Sequence, residues 1–183
     1  MDKISLEPVT LRHAEDIQRL ASDPLIVETT ALPSPYPANG ARTWIEQLLE
    51  PRRKKGQEFA YAVKGEDGTF IGVCGFNNVP VHKARVEIGY WIGVPYWGRG
   101  YATEACRQAL NLAFSTMGFQ SLYAPILARN RASQRVLEKL GFRHIRTYPN
   151  TVYAKWPKEE LLVEYALSRD EWAMLNTEHH THP

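Results

Sequence analysis

The sequence predicts an α/β fold in a single domain, with a mixed β-sheet flanked by helices. Three observations lead there. Apolar residues change period along the chain, from steps of three or four to strict alternation and back again. The elements run β-α-α-β-β-β-α-β-α-β-β, an order that suits a mixed sheet with helices packed on it. The 183 residues are 44% hydrophobic and 23% charged, the balance of a globular chain able to bury one core.

"ISLEPVTL" alternates as a first strand. "TLRHAEDIQRLAS" places Leu11, Ala14, Ile17 and Leu20 on a helical stripe. "LPSPYP" carries three prolines in six residues and predicts a stiff loop with Tyr36 near its tip. "GARTWIEQLLEPR" follows as a second helix with Trp44, Ile45 and Leu48 on one face. Two strands within "EFAYAVKGEDGTFIGVCGF" turn at Asp67-Gly68, and "RVEIGYWIG" completes a meander. Residues 101–117 read as a helix with the stripe Ala102, Cys106, Ala109, Ala113 and Met117. "SLYAPIL" is a strand, and "NRASQRVLEKLGF" a short helix stopped by Gly141. "FRHIRTY" and "LLVEYALS" close the sheet. The domain is expected over 1–175, with 176–183 as a flexible tail.

Several functions are disfavoured by composition. A net charge of +2 is too small to suggest nucleic-acid binding. Cys74 and Cys106 sit in apolar surroundings with no Cys/His spacing around them, so no metal site is expected and both thiols are expected to be reduced. His179, His180 and His182 near the end could hold a metal adventitiously. No run approaches the roughly 18 apolar residues of a membrane span. The opening "MDKISLEPVT" lacks the apolar core of a signal peptide. The expectation is a cytoplasmic protein without membrane or nucleic-acid partners.

The informative stretch is "GYWIGVPYWGRGYATEA", residues 89–105. A strand ends, bends through glycines and starts a helix at once. The first N–H groups of a helix have no intrahelical acceptor, and the helix dipole adds positive potential there. Gly98 and Gly100 leave backbone exposed, Ala102 keeps the approach open and Arg99 adds charge. Together they form a cradle fit for a pyrophosphate. A purely structural turn is the alternative reading of these residues. The lysine of a P-loop is missing, and Thr103 stands where a dinucleotide fingerprint has its third glycine.

These residues resemble the GCN5-related N-acetyltransferase (GNAT) superfamily, and within it the branch that acetylates ribosomal-protein N-termini (RimJ/RimL type). The family's acyl-CoA signature, Gln/Arg-x-x-Gly-x-Gly/Ala, is matched by Trp97-Gly98-Arg99-Gly100-Tyr101-Ala102, with Trp at the first position as is common in that branch. A second signature, Asn-x-x-Ser with a "LEKLGF" ending, matches Asn130 to Phe142. The resemblance covers nearly the whole chain. It implies a mostly antiparallel sheet with splayed central strands, and direct acetyl transfer from acetyl-CoA to a primary amine in a ternary complex. A protein N-terminal α-amine is the first acceptor to consider. A small amine (a polyamine or amino-sugar antibiotic) is the second, and a non-catalytic acyl-CoA-binding module the third. A homodimer is expected only by analogy with relatives.

Roles follow from the resemblance. The pyrophosphate would rest on the backbone of Arg99, Gly100, Tyr101, Ala102 and Thr103, and the pantetheine would pair with Ile92, Gly93 and Val94. Glu87 would act as base through a water, unless it is a solvated strand residue or an ion-pair partner. Ser133 would hydrogen-bond the leaving sulfur or donate to it, because Leu137 stands where many relatives have a tyrosine; a local cap is the alternative. Asn130 would touch the CoA chain or simply cap its helix. Arg135 would reach a CoA phosphate or remain an exposed helix arginine. From the residues themselves, Tyr36, Tyr90 and Trp91 are candidate walls of the acceptor pocket, with core packing as the alternative, and the proline-stiffened loop of Tyr36 is the hardest to explain by core packing alone.

Overall fold

A computed structural model of the chain describes residues 3–178. Its centre is a seven-stranded sheet in the order β1-β2-β3-β4-β5-β7-β6. The strands are β1 (Ile4–Pro8), β2 (Phe59–Gly65), β3 (Phe70–Asn77), β4 (Val86–Ile92), β5 (Ser121–Leu127), β6 (Arg143–Pro149) and β7 (Leu161–Ser168). Neighbours are antiparallel except β4 and β5, which run parallel and register only at Val86–Leu122 and Glu87–Tyr123. Beyond Glu87 the two strands part, so the expected splay is present at mid-sheet.

Each face of the sheet carries its own core. Alternation along β4 sends Val86, Ile88 and Ile92 to one face, where they pack with Cys106, Ala109 and Leu110 of α5 (Tyr101–Asn111) and Leu137 of α6 (Arg131–Lys139). Phe76 and Phe119 meet edge-on there, with ring centroids 5.2 Å apart. Cys74 and Cys106 are buried in the same core as free thiols. The opposite face receives α1 (Ala14–Ala21) and the rod formed by α3 (Gly40–Thr43), a π-helical turn at Trp44–Leu49 and α4 (Glu50–Lys54).

Two apolar stripes differ from expectation. Leu11 is exposed and His13 is buried, because Leu11–His13 form a tighter 3-10 turn before α1. Thr10 N–H donates to His13 Nδ1 (3.0 Å), so Nε2 carries the proton and donates to Glu7 (2.8 Å), lowering the Glu7 carboxyl below its ordinary value. In the second helix Ala41, Ile45 and Leu49 are buried while Leu48 is exposed. Pro51 lacks an N–H and crowds the preceding turn, and the wide π-turn that ends at Leu49 accommodates it.

Two helices lie outside the expected order. The first, α2 (Pro24–Thr29), begins with Asp23 accepting from Leu25 N–H (2.9 Å) and Pro24 in the first turn. The second, α7 (Arg169–Glu178), is opened by a reciprocal pair: Ser168 N–H donates to Glu171 Oε2 (2.9 Å), and Glu171 N–H to Ser168 Oγ (3.2 Å). Residues 176–178 of the expected tail therefore lie in a helix. The histidines at 179, 180 and 182 fall outside the described residues. No helix among the described residues is long and apolar enough to cross a membrane.

Candidate active site

The glycine cradle takes shape where β4 ends. Gly93 N–H donates to Ile71 O (2.8 Å) and its carbonyl accepts from Tyr96 N–H (2.9 Å), opening a 3-10 turn at Val94–Tyr96. A side chain at Gly93 would meet Leu20 Cδ1 at 2.9 Å, so any larger residue there displaces the Leu20 side chain of α1. The Gly93 N–H and one lone pair of its carbonyl are thus engaged in the bend. Because alternate residues of a strand face opposite neighbours, Ile88, Tyr90 and Ile92 turn their backbone groups toward the splay.

Trp97, at the variable first position of the signature, donates its indole N–H to Ile92 O (2.7 Å) and ties the turn to the strand. Trp97→Phe is expected to lower stability by about 1 kcal/mol, the worth of one net hydrogen bond, as read from a denaturant midpoint. Gly98 and Gly100 adopt φ of +75° and +80°, and Gly100 caps α5 with no side-chain bond to the first turn. A Cβ at Gly98 would find nothing within 4 Å. Arg99 lies exposed between them. An open, uncapped helix start with an arginine beside it fits a pyrophosphate. Tyr101 contributes only backbone here, since its ring is buried in the core.

The splay opens into a cavity of about 650 Å³, ordinary for a substrate pocket. Glu87, Tyr90, Trp91 and Ser133 all line it. Tyr36 forms the opposite wall, its ring against Gly40, and burial pushes its hydroxyl up to about 12. The rest of the wall is strongly aromatic, with Trp44, Tyr153 and Trp156.

Glu87 stands on the cavity floor. Asn78 Nδ2 donates to its Oε2 (3.0 Å), and Tyr123 OH approaches the same oxygen at 3.4 Å. Asn78 has φ +50°, a left-handed conformation that asparagine tolerates, and it also accepts from Arg52 (3.5 Å). Arg85 stacks on the Tyr123 ring, 3.8 Å from its centroid, and is paired to buried Glu164. Both strand registers converge on Glu87. Continuing the β2–β3 pairing by one residue sets Glu58 beside Asn77, which pairs with Glu87. Glu58, Asn77 and Glu87 therefore form one polar row, its ends about 10 Å apart at Cα by strand spacing. Glu58 is 7% exposed and paired with Arg52 (3.2 Å). Burial raises its carboxyl above the ordinary value, against the pull of Arg52.

Tyr90, one of the residues lining the cavity, is engaged across the splay. It belongs to the far face of β4, and its hydroxyl lies 2.6 Å from Ser133 Oγ across the splay. Burial pushes that phenol well above its ordinary value, so it stays protonated. Asn130 Oδ1 accepts from Ser133 N–H (3.2 Å), making Asn130 the N-cap of α6 and fixing Ser133 in place. Arg135 is exposed on α6, and Leu137 is wholly buried in the core. Sequence reasoning missed Glu58, Asn78, Arg52, Tyr123 and the aromatic pair Tyr153 and Trp156. Among the described residues no cluster of three or more metal-ligating side chains occurs.

Comparison with known proteins agrees with this geometry. The acetyltransferase (GNAT) domain family matches residues 3–143. The FsC-acetyl coenzyme A-N(2)-transacetylase of Aspergillus fumigatus is 26% identical over 181 residues, covering 93% of this chain and 75% of that protein. The fold matches spermidine N-acetyltransferase from Vibrio cholerae, solved with CoA and spermine, at a TM-score of 0.81 and 15% identity, over 93% of this chain and 98% of the other. It also matches Mycobacterium smegmatis RimJ, solved with CoA-disulfide, at a TM-score of 0.80 and 19% identity, over 94% and 89%.

Proposed function

The chain belongs to the acetyltransferase (GNAT) family and transfers acetyl from acetyl-CoA to an amine, and we propose that its acceptor is an α-amine whose first side chain is apolar or aromatic, as at a protein N-terminus. The make-up of the chamber supports this reading. Tyr36, Trp44, Trp91, Tyr153 and Trp156 offer apolar surface around Glu87, while the second carboxylate, Glu58, is already paired with Arg52. A polycation would find one free carboxylate and a repelling guanidinium, which argues against a polyamine.

Acetyl-CoA supplies a thioester carbonyl, activated for attack by a neutral amine. An α-amino group, with a pKa of about 8, gives up its proton more readily than an alkyl amine. Glu87 accepts that proton, directly or through a water, with its carboxylate oriented by Asn78 and Tyr123. A backbone N–H on the open side of β4 donates to the carbonyl oxygen as it gains charge. The departing thiolate meets the Tyr90–Ser133 hydroxyl pair. A thiol of pKa about 8.5 is the stronger acid, so these hydroxyls stabilise the thiolate by hydrogen bonding more than by giving up a proton.

A panel of acceptors tests the reading: short peptides beginning with Phe, Leu, Asp or Lys, the corresponding free amines, and spermidine. The apolar-first peptides are expected to exceed the acidic-first ones by roughly tenfold or more in kcat/KM, from hydrophobic burial of one side chain. Free aromatic amines that outperform every peptide would shift the acceptor to a small molecule. A preference for spermidine would overturn the proposal.

A further inference from the structure

Two loops face each other across the acceptor chamber. One follows α2 and carries Leu32, Pro33 and Tyr36; the other joins β6 to β7 and carries Tyr153 and Trp156. The second loop is organised from within by Asn150, only 2% exposed, which donates to Tyr153 O (2.7 Å) and Trp156 O (2.8 Å) and accepts from Tyr153 N–H (2.9 Å). From that frame Lys155 extends to the first loop. Its Nζ donates to the carbonyls of Val27, Thr30 (2.6 Å) and Leu32, so all three ammonium protons have acceptors. Trp156 adds a fourth tie, its indole N–H reaching Glu28 O (3.2 Å), and its ring lies 4.9 Å from the ammonium.

We propose that Lys155 is a positioning residue for acceptor recognition: it clasps the two loops together and sets the width of the chamber between Tyr36 and Tyr153. The carbonyls it takes lie at the end of α2, where the helix dipole is negative and a cation is favoured. Burial lowers the ammonium pKa, which is consistent with a charge held for local bonding rather than for solvation. Lys155 reaches neither Glu87 nor the glycine cradle through any of these bonds, so its influence falls on the acceptor walls. Its consequence for substrate choice rests on the acceptor reading given above; the clasp itself does not.

The test compares Lys155→Met, which keeps an unbranched apolar stem and loses every donor, with Lys155→Arg, which restores charged donors. Acceptor KM, kcat, acetyl-CoA affinity and backbone hydrogen exchange are measured on each. Lys155→Met is expected to raise acceptor KM roughly tenfold, with a smaller change in kcat and none in acetyl-CoA affinity, and Lys155→Arg to recover part of the loss. Exchange at 27–33 and 150–157 should accelerate in Lys155→Met, a result that needs no acceptor and stands even if the proposed acceptor class is wrong. Unchanged exchange and unchanged acceptor KM in a folded Lys155→Met protein would overturn the clasp. Should that variant fail to fold, Lys155→Gln, with two donors for three carbonyls, decides by the same readouts: intermediate values support the clasp and native values overturn it.

Discussion

Glu87→Gln is expected to lower kcat by about 10²–10³-fold while leaving acetyl-CoA affinity within twofold of the native protein, the range typical for loss of a general base. The amide keeps the volume of the carboxylate and can still accept from Asn78 and Tyr123, so the geometry of the floor should survive. What disappears is the proton acceptor. Residual turnover would then depend on acceptors that arrive already neutral, and kcat/KM of the variant should climb with pH through the acceptor's own pKa, about 8 for an α-amine. Steady-state kinetics across that range, with acetyl-CoA binding measured separately, check both points. A variant within threefold of native kcat would reduce Glu87 to a structural partner of Asn78.

Gly100→Val is expected to weaken acetyl-CoA binding about 100-fold or more, because a branched side chain is placed where the anion must approach the helix start. Two costs combine. The φ of +80° is hostile to a β-branched residue, and the first turn of α5 loses its open face. Gly100→Asn separates them, since asparagine tolerates left-handed backbone yet still carries a side chain. If the asparagine variant keeps native stability and loses affinity, occlusion of the cradle is the cause. If it binds normally, backbone strain explains the valine result.

How much of this was legible in the sequence varies from residue to residue. The cradle was legible because its parts are local: three glycines, an arginine and a helix start within a dozen residues. The family signatures then carried Glu87, Asn130 and Ser133 to the splay, which periodicity alone does not reveal. Tyr90 and Trp91 both line the cavity, although alternation along β4 puts their side chains on opposite faces of the strand. The starts of α2 and α7 were also local, in "SDP" and "SRDE", and were overlooked. Glu58, Asn78 and Lys155 are different. Glu58 looks like a surface charge until the register of two strand pairs sets it in line with Glu87. Asn78 acquires its role from a left-handed backbone, and Lys155 from carbonyls more than 120 residues away in sequence. No window of sequence contains those partners.

In the mechanism proposed above, one continuous path, from the glycines that precede α5 to the open side of β4, holds acetyl-CoA with its thioester beside Glu87. Backbone amide chemical shifts followed during titration with acetyl-CoA test it most directly. The largest changes are expected at 99–103 and at Ile88, Tyr90 and Ile92, with a smaller response at Ser133 and little on α7. Saturable binding that leaves the amides of 99–103 unmoved would contradict it.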